Sequence, residues 1–189
     1  YHKLGLYEKT GVDLPGEANS IMHKLSDIGP VELATLSFGQ SIQISPIQFV
    51  TAAATVINGG NKITPHIGMK VTDADNQVTT NLEYPVTEQV VSSETSALMR
   101  DLLESVVAEG GGSKAQVEGY RIGGKTATSE KYPRGTGKYI SSFIGFAPAN
   151  DPQIMAFVMI DEPMGIYYGG TIAAPVVQEV FSNILPYLG

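Results

Sequence analysis

The chain contains 189 residues, 42% of them hydrophobic, and its 12 Lys and Arg against 19 Asp and Glu give a net charge of −7 at pH 7. A chain of this length is most simply one domain with a substantial core, and its acidic balance argues against a nucleic-acid partner, because phosphate backbones are bound through clustered Lys and Arg. It has no cysteine, which excludes disulfides and thiolate metal sites, and no apolar run near the roughly 20 residues that a membrane helix needs.

The first predicted helices follow a stretch of turns and short segments. A short helix is predicted over 30–38 and a longer one over 46–57. The longer helix has clear start signals, because Ser45 and Gln48 have the spacing of a capping box and Pro46 occupies the first helical position. Its predicted apolar stripe consists of Ile47, Val50, Ala53, Ala54 and Ile57.

The middle of the chain predicts a hairpin and then a helix. Residues 62–91 alternate loosely between apolar and polar side chains, and residues 73–76 have turn chemistry. Ser92 or Ser93 caps the next predicted helix, which ends near the segment 110–113. That segment, Gly-Gly-Gly-Ser, is predicted to be a flexible link. The predicted buried face of the helix consists of Leu98, Met99, Leu102, Leu103, Val106 and Val107.

The last part of the chain predicts three strands and a helix. The strands are predicted over 124–131, 141–147 and 154–160, and the helix over 171–185. The turn at 150–152 is short, and short connections fit antiparallel neighbours, because a parallel crossover needs a dozen or more residues. The pattern therefore predicts a helix laid on an antiparallel sheet. Gly169-Gly170 is interpreted as a turn into that helix, with no chemistry assigned.

Residues 123–131 combine glycines, lysines and three hydroxyls, a combination that is typical of an anion site. Residues 119–126 satisfy the phosphate-loop pattern G-x-x-x-x-G-K-[ST], and Asp161-Glu162 would then supply magnesium ligands. A phosphate loop, however, needs a buried strand before it and a helix after it. Here the preceding residues are polar, and Pro133 with two glycines follows before a helix could complete two turns. The other interpretation is a strand that carries a Lys-Thr-Gly-like motif.

A series of short motifs runs along the whole chain. They are Thr10–Glu17, Phe38-Gly39-Gln40, Ser45-Pro46, Asn58-Gly59-Gly60, Gly124-Lys125-Thr126, Phe143–Pro148, Tyr168-Gly169-Gly170 and Ala173-Ala174-Pro175. In this order they resemble the landmarks in the C-terminal half of a class B penicillin-binding protein transpeptidase domain. The resemblance implies an α+β fold, in which a five-stranded antiparallel sheet is flanked by helices, and residues 1–189 form the C-terminal part of one such domain.

The same resemblance implies a function and a location. The expected enzyme is a peptidoglycan D,D-transpeptidase that acts on stem peptides ending in D-Ala-D-Ala and is acylated by β-lactams. It is expected at the extracytoplasmic face of the cell membrane, held by an N-terminal anchor outside this chain. Other cell-wall synthesis proteins are expected partners. No cofactor or nucleic acid is expected. No metal is expected either, because the three histidines lack metal-like spacing.

The resemblance also gives roles to four consecutive residues: Lys125, Thr126, Ala127 and Thr128. Strand alternation puts Thr126 and Thr128 on one face and Lys125 with Ala127 on the other. By resemblance, the Thr126 hydroxyl, helped by that of Thr128, binds the terminal carboxylate of the donor peptide. The backbone N–H of Thr128 would be one of two oxyanion donors, since charge develops on the attacked carbonyl oxygen. Lys125 would supply positive potential and help proton transfer.

Two departures from the family pattern matter. The patterns Ser-x-x-Lys and Ser-x-Asn occur nowhere in the sequence, so the chain lacks the serine that would be acylated and is expected to begin just downstream of both motifs. Ala127 stands where the family has glycine, and its methyl group either narrows the donor site or is tolerated. Two alternatives stay open: a non-catalytic penicillin-recognising sensor domain, and a P-loop NTPase.

Overall fold

The computed structural model describes residues 1–86 and 89–188, and the chain divides into two compact units, Tyr1–Ser92 and Ser93–Gly189. The helices are α1 (Pro30–Leu36), α2 (Pro46–Ile57), α3 (Ser93–Ala108), α4 (Gly169–Ile172) and α5 (Ala174–Leu188). The strands are β1 (Lys70–Thr72), β2 (Val78–Asn81), β3 (Gly123–Glu130), β4 (Tyr139–Ala147) and β5 (Ile154–Asp161). The predicted helices and strands are thus confirmed, the last helix being divided at Ala173. That the whole chain belongs to one domain stays a prediction.

Helix α2, in the first unit, begins and ends where its sequence predicts. The Ser45 hydroxyl accepts from the Gln48 N–H at 3.2 Å, while the Gln48 side-chain oxygen accepts from the Ser45 N–H at 2.9 Å. Pro46 follows at the first helical position, where a missing N–H costs nothing. The helix ends before Asn58. The predicted capping box is therefore confirmed.

The predicted apolar stripe of α2 is wrong, because the most buried face of this helix is largely polar. Ile57 is buried as predicted, but Gln48, Thr51 and Thr55 are buried too. The Gln48 side-chain amide donates to the Glu8 carbonyl at 2.7 Å, and the Thr55 hydroxyl donates to the Thr51 carbonyl at 2.9 Å. These hydrogen bonds offset the cost of burying polar groups. Tertiary partners, rather than hydropathy, decide which side of α2 is covered.

The predicted hairpin is confirmed, since β1 pairs antiparallel with β2. In its turn Asn76 has a φ of 60°, a left-handed conformation that Asn tolerates. Near its base the Asp13 carboxylate accepts from the N–H groups of Ile67 and Gly68 at 2.9 and 2.7 Å. It also accepts from the Tyr84 hydroxyl at 2.9 Å. The bond from Gly68, and then that from Ile67, lowers the pKa of the Asp13 carboxyl.

The second unit is built on an antiparallel sheet with the strand order β3-β4-β5, as predicted. Phe143 lies between Thr126 and Val158 in the strand register, and its ring is fully buried. Helix α5 covers this face, because a Cβ added at Gly145 would lie 2.9 Å from the Val177 side chain. The core of this unit consists of Val107, Ala115, Val117, Ile122, Phe143, Ala147, Ala173, Ala174, Val177, Phe181 and Leu185.

Helix α3 lies against β3, but only part of its predicted face is buried. Val107 is fully buried, as predicted, and Ser96 is buried as well. Leu98 and Leu102 are 58% and 53% exposed, although both belong to the predicted face. The buried positions Ser96 and Val107 lie about three turns apart on one side of the helix. The inward face is therefore rotated away from these two leucines.

The segment 110–113, predicted to be a flexible link, is instead packed. The Gly112 N–H donates to the Val106 carbonyl at 3.1 Å, and a Cβ added at Gly112 would lie 3.2 Å from the Phe143 ring. A short 3-10 turn follows, and its last residue, Ala115, is fully buried. The glycines here permit close packing against the core, so the prediction of flexibility is wrong.

Candidate functional site

The candidate site residues Lys125, Thr126, Ala127 and Thr128 all lie on β3. Register pairs Thr126 with Phe143 and Thr128 with Ser141, so both threonines share the face that α5 covers. Lys125 and Ala127 lie on the opposite face, and both are exposed. The predicted alternation of the two pairs is therefore confirmed.

The backbone of the two threonines points to the open edge of β3. The Lys131 N–H donates to the Lys138 carbonyl at 2.8 Å, which makes these residues a hydrogen-bonded pair next to the β3–β4 ladder. In an antiparallel ladder such pairs alternate, so Lys125 and Ala127 exchange hydrogen bonds with β4. The N–H and C=O groups of Thr126 and Thr128 then point away from β4. Within residues 1–86 and 89–188, no other strand pairs with β3.

The Lys125 side chain extends to the same edge. Its ammonium group donates to the Thr126 carbonyl at 2.9 Å, and the residue is exposed. The Thr126 carbonyl faces outward from β4, so the bond places the positive charge beside the outward backbone groups. An exposed cation in this position attracts anions, although the chain as a whole carries a net charge of −7.

A double glycine approaches the threonine face, and sequence reasoning gave it no role. The N–H of Gly169, the first residue of α4, donates to the Thr128 hydroxyl oxygen at 3.1 Å. A Cβ added at Gly169 would lie 2.3 Å from the Ser142 carbonyl oxygen, and one added at Gly170 would lie 3.1 Å from the Thr126 methyl group. At Gly169 the obstacle is backbone, so only glycine permits this approach there. The one sequence signal was a glycine pair directly before a helix.

The segment before the double glycine is fixed to β4. The Ser141 hydroxyl, which is fully buried, donates to the Tyr167 carbonyl. The rings of Tyr139 and Tyr167 stack with centroids 4.0 Å apart at an angle of 6°. Tyr168 is 59% exposed, and its pKa is raised by its hydrogen bond with Tyr167. Two separate contacts thus hold the backbone that leads into Gly169.

Beyond Thr128, the end of β3 carries an ion cluster. The Lys131 ammonium lies 2.8 Å from both the Asp161 and the Glu162 carboxylates, and that of Lys138 lies 3.0 Å from Glu162. The hydrogen bonds that Lys131 and then Lys138 donate to Glu162 lower its pKa, and the hydrogen bond that Lys131 donates to Asp161 is the largest cause of the raised pKa of Lys131. The acidic pair is therefore engaged by β3 and its loop, and is not placed for a phosphate-bound magnesium ion.

Other candidate functions find little support in the geometry. Lys125 and Thr126 lie inside β3 and not at the start of a helix, which contradicts the phosphate-loop alternative. Among the residues that the structure describes, no group of three or more His, Asp or Glu side chains is placed to hold a metal ion. In the same part of the chain, no helix combines the length and apolar character needed to cross a membrane.

The edge of β3 therefore offers one set of groups suited to an anion or a polarised carbonyl. It presents outward N–H groups and the Lys125 ammonium, and the hydroxyl-bearing side chains of Thr126 and Thr128 lie on the adjoining face of the strand. Hydrogen bonds to charged acceptors are about twice as strong as those between neutral groups. The set contains donors and a cation, but no activated nucleophile.

Comparisons with known proteins point the same way. The family model described as the penicillin binding protein transpeptidase domain matches residues 1–182. Stage V sporulation protein D of Bacillus subtilis is 47% identical over 190 residues, which cover 98% of this chain and 29% of that protein. Peptidoglycan D,D-transpeptidase FtsI of Escherichia coli is 33% identical over 190 residues, which cover 98% of this chain and 30% of that protein.

Solved structures agree with these matches. The transpeptidase domain of penicillin-binding protein 3 from Burkholderia pseudomallei superposes with a TM-score of 0.84 at 32% identity, over 100% of this chain and 56% of that one. Penicillin-binding protein 3 from Mycobacterium tuberculosis in complex with aztreonam gives 0.85 at 28% identity, over 99% of this chain and 44% of that one. The chain spans 29% and 46% of the first two curated relatives that it matches.

Proposed function

The chain belongs to the penicillin-binding protein transpeptidase domain family, and on that premise we propose that it supplies the substrate-binding strand of a peptidoglycan D,D-transpeptidase. The observation that carries the proposal is the open edge of β3, where the backbone of Thr126 and Thr128 points away from β4. A peptide that ends in a carboxylate fits such an edge, because it presents an anion for the hydroxyls and a carbonyl for an outward N–H.

The two threonines have separate roles in this proposal. The Thr126 hydroxyl, helped by the Thr128 hydroxyl, binds the terminal carboxylate of the donor stem peptide. The Thr128 N–H donates to the oxygen of the attacked carbonyl, where negative charge develops in the transition state. The outward direction of that N–H supports this role, since a group bonded to β4 could not turn to a ligand. The ladder holds the donor in place before the substrate arrives.

Lys125 supplies the electrostatic part of the site. Its ammonium lies at the Thr126 carbonyl, beside the proposed carboxylate site. A cation there favours an anionic substrate and helps transfer protons to and from the serine and the leaving amine. Ala127 lies on the other face of β3 from the threonines, and it contributes its backbone to the ladder.

The nucleophile belongs to another part of the whole protein, because this sequence has no Ser-x-x-Lys pattern. In the proposed reaction the serine oxygen bonds to the carbonyl carbon of the D-Ala-D-Ala amide, and that C–N bond breaks. The leaving nitrogen takes up a proton, and D-Ala departs. The amine of a second stem peptide then attacks the acyl carbon and forms the cross-link; the ester C–O bond to the serine breaks, and a proton of the amine goes to the serine oxygen.

β-Lactams are the proposed covalent inhibitors of the complete enzyme. They present a reactive amide carbonyl and an acidic group, which are the two features that the edge of β3 is proposed to bind. A related protein, penicillin-binding protein 3 from Mycobacterium tuberculosis, has been solved in complex with aztreonam and with ampicillin. The expected partners are peptidoglycan stem peptides and other cell-wall synthesis proteins, and the expected location is the extracytoplasmic face of the membrane, with an anchor in the rest of the protein.

The test uses the complete protein that contains this chain. It is incubated with a fluorescent penicillin, and separately with a peptide ending in D-Ala-D-Ala and an acceptor amine. The proposal expects a stoichiometric covalent adduct with the penicillin, and release of D-Ala with formation of the cross-linked product. An adduct without peptide turnover would indicate a penicillin-recognising sensor instead. Absence of both would refute the proposed function.

A further inference from the structure

From the contact between α4 and β3 we infer that the backbone N–H of Gly169 positions the Thr128 hydroxyl so that its proton is directed to the bound anion. The inference rests on the proposed function, in which Thr128 helps to bind the substrate carboxylate. It adds a positioning group from a different element, one that touches Thr128 and does not touch the substrate. The donor–acceptor distance is 3.1 Å, within the range for an N–H···O bond.

The hydrogen-bonding capacity of the Thr128 hydroxyl determines what it can offer to a ligand. A threonine hydroxyl has one proton to donate and two lone pairs that accept. The Gly169 N–H can only donate, so it occupies one lone pair of Thr128 Oγ1. Among the described residues this is the one hydrogen bond of that hydroxyl, so its proton remains available to a ligand. A hydroxyl that already accepts a bond is also a better donor, because hydrogen bonds in a chain polarise one another.

The position of the Gly169 N–H is fixed from both sides. Ahead of it, the buried Ser141 hydroxyl holds the Tyr167 carbonyl, and the Tyr167 ring stacks on Tyr139. At the glycine itself, an added Cβ would lie 2.3 Å from the Ser142 carbonyl oxygen and 2.4 Å from the Ala127 carbonyl oxygen. The backbone thus rests directly on the β3–β4 ladder. Such a donor need not reorganise when the ligand binds, which is the condition under which a polar contact contributes most.

This arrangement has a consequence for specificity. With one lone pair occupied, the Thr128 hydroxyl presents its proton to the site, so it favours a ligand atom that accepts. A carboxylate has only acceptors, whereas a carboxamide places an N–H group at one of the two positions. The Gly169 N–H therefore contributes to the selection of a peptide with a free terminal carboxylate, through an atom outside the binding edge.

The test removes the single N–H without adding an atom. In the complete transpeptidase, the Tyr168–Gly169 amide is replaced by an ester through semisynthesis, and the second-order acylation rate by benzylpenicillin is measured. We expect a loss of roughly threefold to tenfold, the range for one hydrogen bond. The matched control is an ester at Val177 in the first turn of α5, whose N–H donates at 3.3 Å to the carbonyl of Ala173, the residue before that helix. The control should change the rate less than twofold.

A double-mutant cycle separates positioning from general stability. In a Thr128→Val background the Gly169 ester should cause no further loss, because the hydroxyl that it acts on is gone. In a Thr128→Ser background, which keeps the hydroxyl, the loss should reappear. If the ester lowers the acylation rate further in the Thr128→Val background, the inference is overturned. It is also overturned if the ester variant is acylated as fast as the unmodified protein.

A second variant keeps the inference testable if the ester protein does not fold. Ser141→Ala releases the Tyr167 carbonyl and so loosens the approach of Gly169. It should slow acylation in the unmodified background and have no effect in the Thr128→Val background, and an equal loss in both would overturn the inference. Failure of the proposed function looks different, since the unmodified protein itself would then not be acylated.

Discussion

The Thr126 hydroxyl is the residue-scale feature on which the proposed carboxylate contact depends most directly. In the complete protein, Thr126→Val should slow acylation by a β-lactam while leaving the fold intact. A hydrogen bond to a charged group contributes about 1.5–3 kcal/mol, so we expect a loss on the order of tenfold to hundredfold. Stopped-flow measurement of the second-order acylation rate checks this.

The matched control for this substitution is Thr79→Val in the hairpin. Thr79 is also a strand threonine, exposed where Thr126 is half-buried, and its hydroxyl donates to the Val71 carbonyl at 3.2 Å. Its removal should leave the acylation rate unaltered. If Thr126→Val behaves like the control, within a factor of two, Thr126 does not belong to the site.

Ala127 occupies the position where the family has glycine, and its methyl group lies on the face opposite the two threonines. Ala127→Gly should therefore change the acylation rate less than twofold. Because glycine adds entropy to the unfolded chain, it should also lower stability by about 0.4–1 kcal/mol, or roughly 1–4 °C in Tm. Calorimetry and acylation kinetics on the same preparation test both parts. A clearly faster acylation would show that the methyl group crowds the substrate.

Local pattern was enough to predict which threonines share a face, because strand alternation has a period of two. The same pattern could not reveal the Gly169 contact, which joins residues 41 positions apart. Nor could it show that the Lys125 ammonium turns to the Thr126 carbonyl. Such contacts depend on how elements pack, and a single sequence carries no periodic signal for that.

At the scale of the element, helix α2 offers a direct test of its capping box. Ser45→Ala removes the oxygen that accepts the Gln48 N–H. The expected cost is about 1 kcal/mol, or roughly 2–4 °C in Tm. Thermal unfolding followed by circular dichroism measures it. Ser26→Ala is the control, because among the described residues that exposed hydroxyl bonds only to the neighbouring Asp27 carboxylate. Equal shifts for the two variants would contradict the capping role.

The ion cluster at the end of β3 predicts a pH dependence for the β3–β4 loop. The lowered pKa of Glu162 stabilises the fold above the usual carboxyl pKa of about 4.3, and this contribution is lost as pH falls through the lower folded value. The raised pKa of Lys131 stabilises below its usual value of about 10.4, and this contribution is lost as pH rises through the higher folded value. The ion cluster therefore stabilises the fold fully in the pH range between these two usual pKa values.

The substitution Lys131→Met tests whether the ion cluster holds the loop in this pH range. At pH 7 the amides of the loop between Lys131 and Lys138 should exchange with deuterium about twofold to fivefold faster than in the unmodified chain, a small effect because the pairs are partly exposed. The difference should shrink as pH falls through the lowered folded pKa of Glu162, since that carboxyl is then protonated in both proteins. A difference that persists at low pH would mean that packing of the lysine stem, and not its charge, holds the loop.

Element boundaries were predictable because their signals are local, whereas the buried faces were not. Ser45, Pro46 and the glycines after Ile57 act within a few residues, so they determine where α2 starts and stops. Burial of Gln48 depends on the Glu8 carbonyl, 40 residues away. Exposure of Leu98 likewise depends on which side of α3 meets the sheet. Hydropathy alone predicts neither.

For the whole molecule, the missing serine motif leads to a prediction about residues 1–189 alone. Incubated with a β-lactam, this polypeptide should gain no mass, because its β3 edge offers donors and a cation but no activated nucleophile. With the remainder of the transpeptidase domain supplied as a separate polypeptide, a covalent adduct should form on that second chain. Intact-mass spectrometry distinguishes the two chains. A stoichiometric adduct on residues 1–189 would show that the nucleophile has been misplaced.

The amide protons of β3 can also report, by NMR, whether a ligand occupies the open edge of the strand. The amide protons of Thr126 and Thr128 face the open edge, whereas that of Ala127 is directed at β4. In an isotopically labelled sample, a peptide that occupies the edge should therefore shift the two threonine cross-peaks and leave the alanine cross-peak close to its original position. Occupancy of the edge could then be followed residue by residue with ligands that never react.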